Sequence, residues 1–137
     1  PYRNTVYAQI YKWVSKGNRV VHISVHTFTP IFEGKERKVD IGLLFDPKKK
    51  PEKEFCSQWK SEMKSLSDKF TVKFNEPYLG KSDGFTTFLR KEFDSSSYSG
   101  IELEVNQKFY IAGGHQWPED ILKLILSSYK SMVQKVE

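Results

Sequence analysis

The chain has little sulfur and no long apolar stretch. Of 137 residues a single one, Cys56, is cysteine. One cysteine closes no internal disulfide and builds no thiolate metal cluster, and it agrees with a reducing, cytoplasmic setting. No apolar run approaches the roughly 20 residues of a membrane-spanning helix, so no membrane partner is expected. There is no internal repeat and no low-complexity tract. G-x-G-x-x-G, the P-loop and H-E-x-x-H are all missing, which removes the common nucleotide-binding and zinc-protease signatures. Basic and acidic residues nearly balance, at 22 and 17, for a net charge of +5. The lysines are interleaved with acids and form no single stripe, so nucleic acid is not the expected partner.

What remains is a globular composition. Hydrophobic residues make up 38% and aromatic residues 15%, enough for a real core in one domain spanning residues 1–137. The chain starts Pro-Tyr-Arg-Asn, without Met, and enters a helical pattern at once. That points to a piece of a longer protein. Asn4 or Thr5 can cap a first helix with Val6, Tyr7, Ile10, Tyr11 and Val14 on its apolar face, and Gly17 can end it. Residues 19–26 are rich in β-branched side chains and predict a strand. A loop follows over 27–38, then a strand over 39–45.

The Asp46–Pro51 turn carries a lysine run read as solvated surface. Pro51 opens a helix with Glu52 and Glu54 in its first turn, where acids suit the dipole. Its buried stripe is Phe55, Trp59, Met63 and Leu66, and Cys56 belongs to the same core. A third strand is expected over 70–74 and a short helix over 85–93. The last helix, begun by Pro118, buries Ile121, Leu122, Ile125, Tyr129, Met132 and Val136. Helices alternating with strands predict an α/β fold, a three-layer sandwich around a mostly parallel, mixed central sheet of the phosphorylase/hydrolase-like kind.

The fourth strand carries the chemistry. In Gly100-Ile-Glu-Leu-Glu-Val-Asn-Gln107, Ile101, Leu103 and Val105 face one way and Glu102, Glu104 and Asn106 the other. A carboxylate in mid-strand is costly to bury without a partner, a metal or a proton. Glu104 is therefore a candidate general acid or base, with a structural ion pair as the plainer reading. Open α/β sheets bind ligands beyond the carboxyl ends of their strands. Polar groups stand at all four ends here: His26-Thr27, Asp46, Asn75-Glu76 and Glu104 to Gln107. Their gathering on one sheet edge is the expectation.

His26 is a candidate metal ligand, against the plainer reading of a hydrogen-bonded core histidine. His22 shares its face, but four strand residues put their Cα atoms about 13 Å apart, too far for one ion to bind both. Arg37 could clamp a substrate carboxylate. Asn75 and Tyr78 could orient a substrate or merely shape a turn. His115 reads as a surface residue.

Together these segments resemble the N-formylglutamate amidohydrolase family. The match is carried by Tyr2 in Pro-Tyr-Arg-Asn, by Ser24-Val-His-Thr-Phe-Thr-Pro30, and by Arg37 with Asp40-Ile-Gly-Leu-Leu-Phe45. Asn75-Glu-Pro-Tyr78 and Glu104-Val-Asn-Gln107 complete it. The resemblance implies a zinc-dependent hydrolase that cleaves the C–N bond of a small N-acyl amino acid such as N-formylglutamate. Carried over residue by residue, His26 becomes a zinc ligand and Glu104 the proton shuttle. Arg37, Asn75, Tyr78 and Gln107 become substrate contacts. The family's Ser-His-x-Gly and Asp-x-Asn-Arg segments have no counterpart, so the chain reads as the C-terminal part of a longer amidohydrolase domain, with the remaining ligands upstream of Pro1. Asn106 stands where many relatives have Arg. A metal-free descendant that binds a small anion or a protein is the competing reading.

Overall fold

The computed structural model describes residues 1–82 and 84–136, with side chains through Gln134. The elements in chain order are α1 (Tyr2–Ser15), β1 (Val20–Phe28), β2 (Ile31–Phe32), β3 (Lys35–Glu36), β4 (Ile41–Leu44) and α2 (Lys50–Leu66). Then come β5 (Val72–Phe74), α3 (Phe85–Glu92), β6 (Tyr98–Asn106), α4 (Lys108–Ala112) and α5 (Glu119–Val136). The main sheet has the order β1-β6-β4-β5. β1 runs parallel to β6, and β4 parallel to β5, while β4 and β6 are antiparallel. The result is the expected mixed, mostly parallel α/β sheet flanked by helices. No described helix is long and apolar enough to cross a membrane.

One sheet face is apolar. Ile101, Leu103, Val105, Ile41 and Leu43 meet Cys56, Trp59 and Met63 of α2 and Ile121, Leu124 and Met132 of α5. Cys56 is fully buried there, and burial pushes its thiol pKa far up, so it is core and not nucleophile. Trp59 Nε1 donates to Ser128 Oγ at 2.9 Å, which satisfies two buried polar groups between α2 and α5. On the other face, Ile10, Val20, Leu89 and Tyr98 join α1 and α3 to β1 and β6 at one end.

Several expectations change. α1 begins at Tyr2 without a side-chain cap, and Thr5 Oγ1 instead donates to the Pro1 carbonyl at 2.7 Å. The 27–38 loop holds the β2–β3 hairpin and the end of β1. α4 follows β6 where no helix was expected. Leu66, Leu122 and Tyr129 are exposed, because they sit at the ends or outer flank of their helices. Val136 lies outside the residues whose side chains are described. The largest correction concerns the strand ends. β4 and β5 run against β1 and β6, so Asp46 and Asn75 leave the sheet at the opposite edge from His26 and Asn106.

Candidate functional site

The site lies on the polar sheet face, at the carboxyl ends of β1 and β6. The parallel β1–β6 register sets His26 across from Glu104 and Ser24 across from Glu102. Paired residues on adjacent strands share a face, with strands about 4.8 Å apart. His26 and Glu104 are therefore side by side. On the other flank of Glu104 the register places Gly42. A Cβ on Gly42 would overlap the Glu76 carbonyl oxygen and lie 3.4 Å from the Glu104 Cβ. Glycine here lets the 75–80 loop cross directly over the strand beside Glu104. A glycine inside a short, buried, otherwise apolar strand was the available signal.

Glu104 is 5% exposed, and its Oε2 has no hydrogen-bond partner among the described residues. Burial, and next the charge of Glu102, push its pKa up to about 7, while Arg37 pulls it down. The carboxyl is thus poised to hold or release a proton near neutrality. Glu102 is half-buried and accepts from Thr86 Oγ1 at 3.3 Å. Of the two strand acids, Glu104 is the unpartnered one. His26 is exposed, and its Nε2 shares a 2.9 Å hydrogen bond with Ser24 Oγ. It is therefore a ring reachable from solvent rather than a core histidine.

Arg37 comes from the loop after β3. Its Nη1 donates to the Tyr78 hydroxyl at 2.8 Å, and its guanidinium carbon lies 4.4, 5.1 and 5.7 Å from the ring centres of Phe32, Tyr78 and Phe28. The rings fix the guanidinium plane while leaving other N–H groups for a ligand. Phe28 and Phe32 were not singled out from the sequence. Asn106 secures this loop, since its Nδ2 donates to the carbonyls of Arg37 and Val39, both at 3.0 Å. Gln107 Nε2 donates to Thr27 Oγ1 at 2.9 Å beside His26. Asn75 Oδ1 accepts from the backbone N–H groups of Phe45 and Gly80, both at 3.0 Å. It shapes the turn that carries Tyr78.

A buried ion pair frames the other end of this face. Arg90 Nε donates to Glu52 Oε2 at 2.9 Å, and Glu52 also accepts from the N–H groups of Gly100 and Asp46. Arg90 in turn donates to the Gly80 and Gly100 carbonyls, both at 2.7 Å. Glu52, expected only as a dipole partner at a helix start, is the junction of α2, α3, β6 and the Tyr78 loop.

Against zinc, the donor chemistry fits in part. His26 offers one accessible imidazole nitrogen, and the orphan oxygen of Glu104 sits across from it. No three His, Cys, Asp or Glu side chains come together as a metal site among the described residues, whereas zinc ordinarily takes three protein ligands.

The profile of the family described as N-formylglutamate amidohydrolase matches residues 1–111. The match takes in the N-terminal region of this chain and stops before α5. Among solved structures, the gene product Atu2144 from Agrobacterium tumefaciens is similar, at 25% identity and a TM-score of 0.59. The alignment covers 96% of this chain and 50% of that one, so this chain spans about half that protein's length. No curated protein matches the chain.

Proposed function

Because the chain belongs to the N-formylglutamate amidohydrolase family, we propose that it carries part of an amidohydrolase site for N-formylglutamate or a similar small N-acyl amino acid. The observation that carries this reading is the pairing of His26 with a buried, unpartnered Glu104 whose pKa lies near 7. On this reading Arg37, held flat by Phe32 and Tyr78, takes a substrate carboxylate through its free N–H groups. Tyr78 and Gln107 border the same space, and Asn75 sets the loop. Glu104 accepts a proton from water as its oxygen attacks the acyl carbon. It then returns that proton to the departing amine nitrogen as the C–N bond breaks, leaving formate and the free amino acid.

His26 is the ligand this chain would give to zinc, which ordinarily takes further protein ligands beside it. Zinc, when bound, would polarise the acyl oxygen and acidify water. A cytoplasmic setting agrees with the single buried thiol.

The test is formate release from N-formylglutamate with zinc supplied, alongside metal content. The reading expects turnover and bound zinc that both fall in His26→Ala. Zinc retained at full occupancy in that variant would remove His26 as a ligand. The incomplete donor set favours one second reading, a metal-free binder of small anions using Arg37. Calorimetric binding of N-formylglutamate that survives chelator, with no formate released, would select it.

A further inference from the structure

Charge around the proposed site is lopsided. Arg37 is the one basic side chain among the described residues whose charge bears on Glu104. Other basic groups of this region are already engaged. Arg90 puts its donors on Glu52 and on the Gly80 and Gly100 carbonyls. Lys108 Nζ lies 2.6 Å from Asp40 Oδ1. The buried Asn106 amide is neutral and fully used. It donates to the Arg37 and Val39 carbonyls and accepts from the Lys108 N–H. Gln107 is neutral too, and its Nε2 donates to Thr27 Oγ1.

Against this guanidinium stand two acids. Glu102 and Glu104 are two residues apart on β6, so their side chains leave the same sheet face with Cα atoms about 7 Å apart. Neither has a basic partner among the described residues. Glu102 accepts from the neutral Thr86 hydroxyl, and Glu104 Oε2 accepts from nothing. The surface beside Arg37 is aromatic instead. Phe32 is 52% exposed and Tyr78 44%, with ring centres 4.4 and 5.1 Å from the guanidinium carbon.

We infer that this site selects N-acyl amino acids that carry one carboxylate and an uncharged side chain, and disfavours the second carboxylate of N-formylglutamate. The inference deepens the proposed hydrolysis and rests on Arg37 as the carboxylate anchor. The α-carboxylate is common to every N-acyl amino acid, so it is the group a single anchor must take. The side chain then lies along Phe32 and Tyr78, carbon against carbon. A second carboxylate would lose water there, meet no further cation, and face Glu102 where screening is weak. Selectivity of this kind comes from repulsion of the wrong ligand as well as from contacts to the right one. N-formylglutamate is then a poorer substrate rather than a refused one.

The test is calorimetric binding of N-formylglutamate, N-formylglutamine and N-formylmethionine to the 137-residue chain, with chelator present so that turnover plays no part. N-formylglutamine has the shape of N-formylglutamate without the second charge. It should bind about 10- to 100-fold more tightly, and N-formylmethionine at least as tightly as N-formylglutamine. Glu102→Gln keeps the size of the side chain and its contact with Thr86. It should narrow the gap by raising affinity for N-formylglutamate alone. Equal or tighter binding of N-formylglutamate by the native chain would overturn the inference. So would a gap that Glu102→Gln leaves unchanged, or no binding of any of the compounds. Formate release with zinc supplied is followed separately on the same compounds. Release from none of them would defeat the hydrolytic reading, while the order of affinities would still decide the inference.

Discussion

Glu104 and Arg37 divide the proposed work between proton and anchor, and each can be tested alone. Glu104→Gln keeps size and shape but cannot carry a proton. The expected result is a fall in kcat of about 10²–10⁴ with KM close to unchanged. Near-normal kcat would exclude Glu104 as the shuttle. Arg37→Lys keeps the charge but loses the flat fork that stacks on Phe32 and donates to the Tyr78 hydroxyl. The expected cost is about 1–3 kcal/mol in substrate binding, read as a rise in KM with a smaller change in kcat. A fall in kcat at constant KM would instead place Arg37 in the transition state. Glu104 was legible because a carboxylate interrupts a strand that should be apolar, whereas Arg37 lies in the loop after β3 and stood out only for its fork geometry. Phe28 and Phe32 were not, because an aromatic in a loop looks the same whether it packs on a core or on a guanidinium.

At the level of elements, sequence read the segments better than their directions. β-branched runs and 3.6-residue stripes locate all the long helices and strands to within a few residues. Nothing local records that β4 runs antiparallel to β6, since side-chain alternation is the same in either direction. The expected gathering of four strand ends failed for that reason, but the pairing of His26 with Glu104 does not depend on it. The β1–β6 register alone brings His26 to Glu104.

Glu52 misled in a different way. An acid in a first helical turn is usually solvated, and only the arrival of Arg90 from α3 makes it structural. Arg90→Ala would strand a carboxylate that is 1% exposed and leave the Gly80 and Gly100 carbonyls without their donor. The expected loss is about 3–5 kcal/mol in urea unfolding. The paired replacement Glu52→Gln with Arg90→Met should cost less than Arg90→Ala alone, because no buried charge is left unpaired. Equal losses would mean that the charge itself is unimportant and packing decides.

For the molecule as a whole, the Glu104 proton sets a direction to stability against pH. Measured with chelator present, only the protein's own groups titrate. Unfolded, Glu104 ionises near 4.5, and folded, near 7. Between those values the folded state holds the extra proton, so stability falls as pH rises and levels off above about 7. Burial lowers the His22 pKa below 6.5, which works the other way, since the unfolded chain then binds the extra proton and stability rises with pH. Asp94, with its Ser96 hydrogen bonds, and Asp120, beside Lys69, have lowered values. They matter only in more acid solution, where protonation removes their contribution.

These opposing groups can flatten the profile of the native chain, so the informative quantity is a difference. Glu104→Gln keeps His22, Asp94 and Asp120 and removes one titration. Its stability relative to the native chain should be constant below about pH 4, rise between about pH 4.5 and 7, and reach a plateau of at most about 3 kcal/mol in its favour. The same substitution would then cut turnover by orders of magnitude while strengthening the fold at neutral pH, the pattern expected of a group held in an unfavourable environment for its chemistry. A difference that is flat across this range would show that Glu104 ionises normally, and would take away the physical basis for its role as a neutral-pH base.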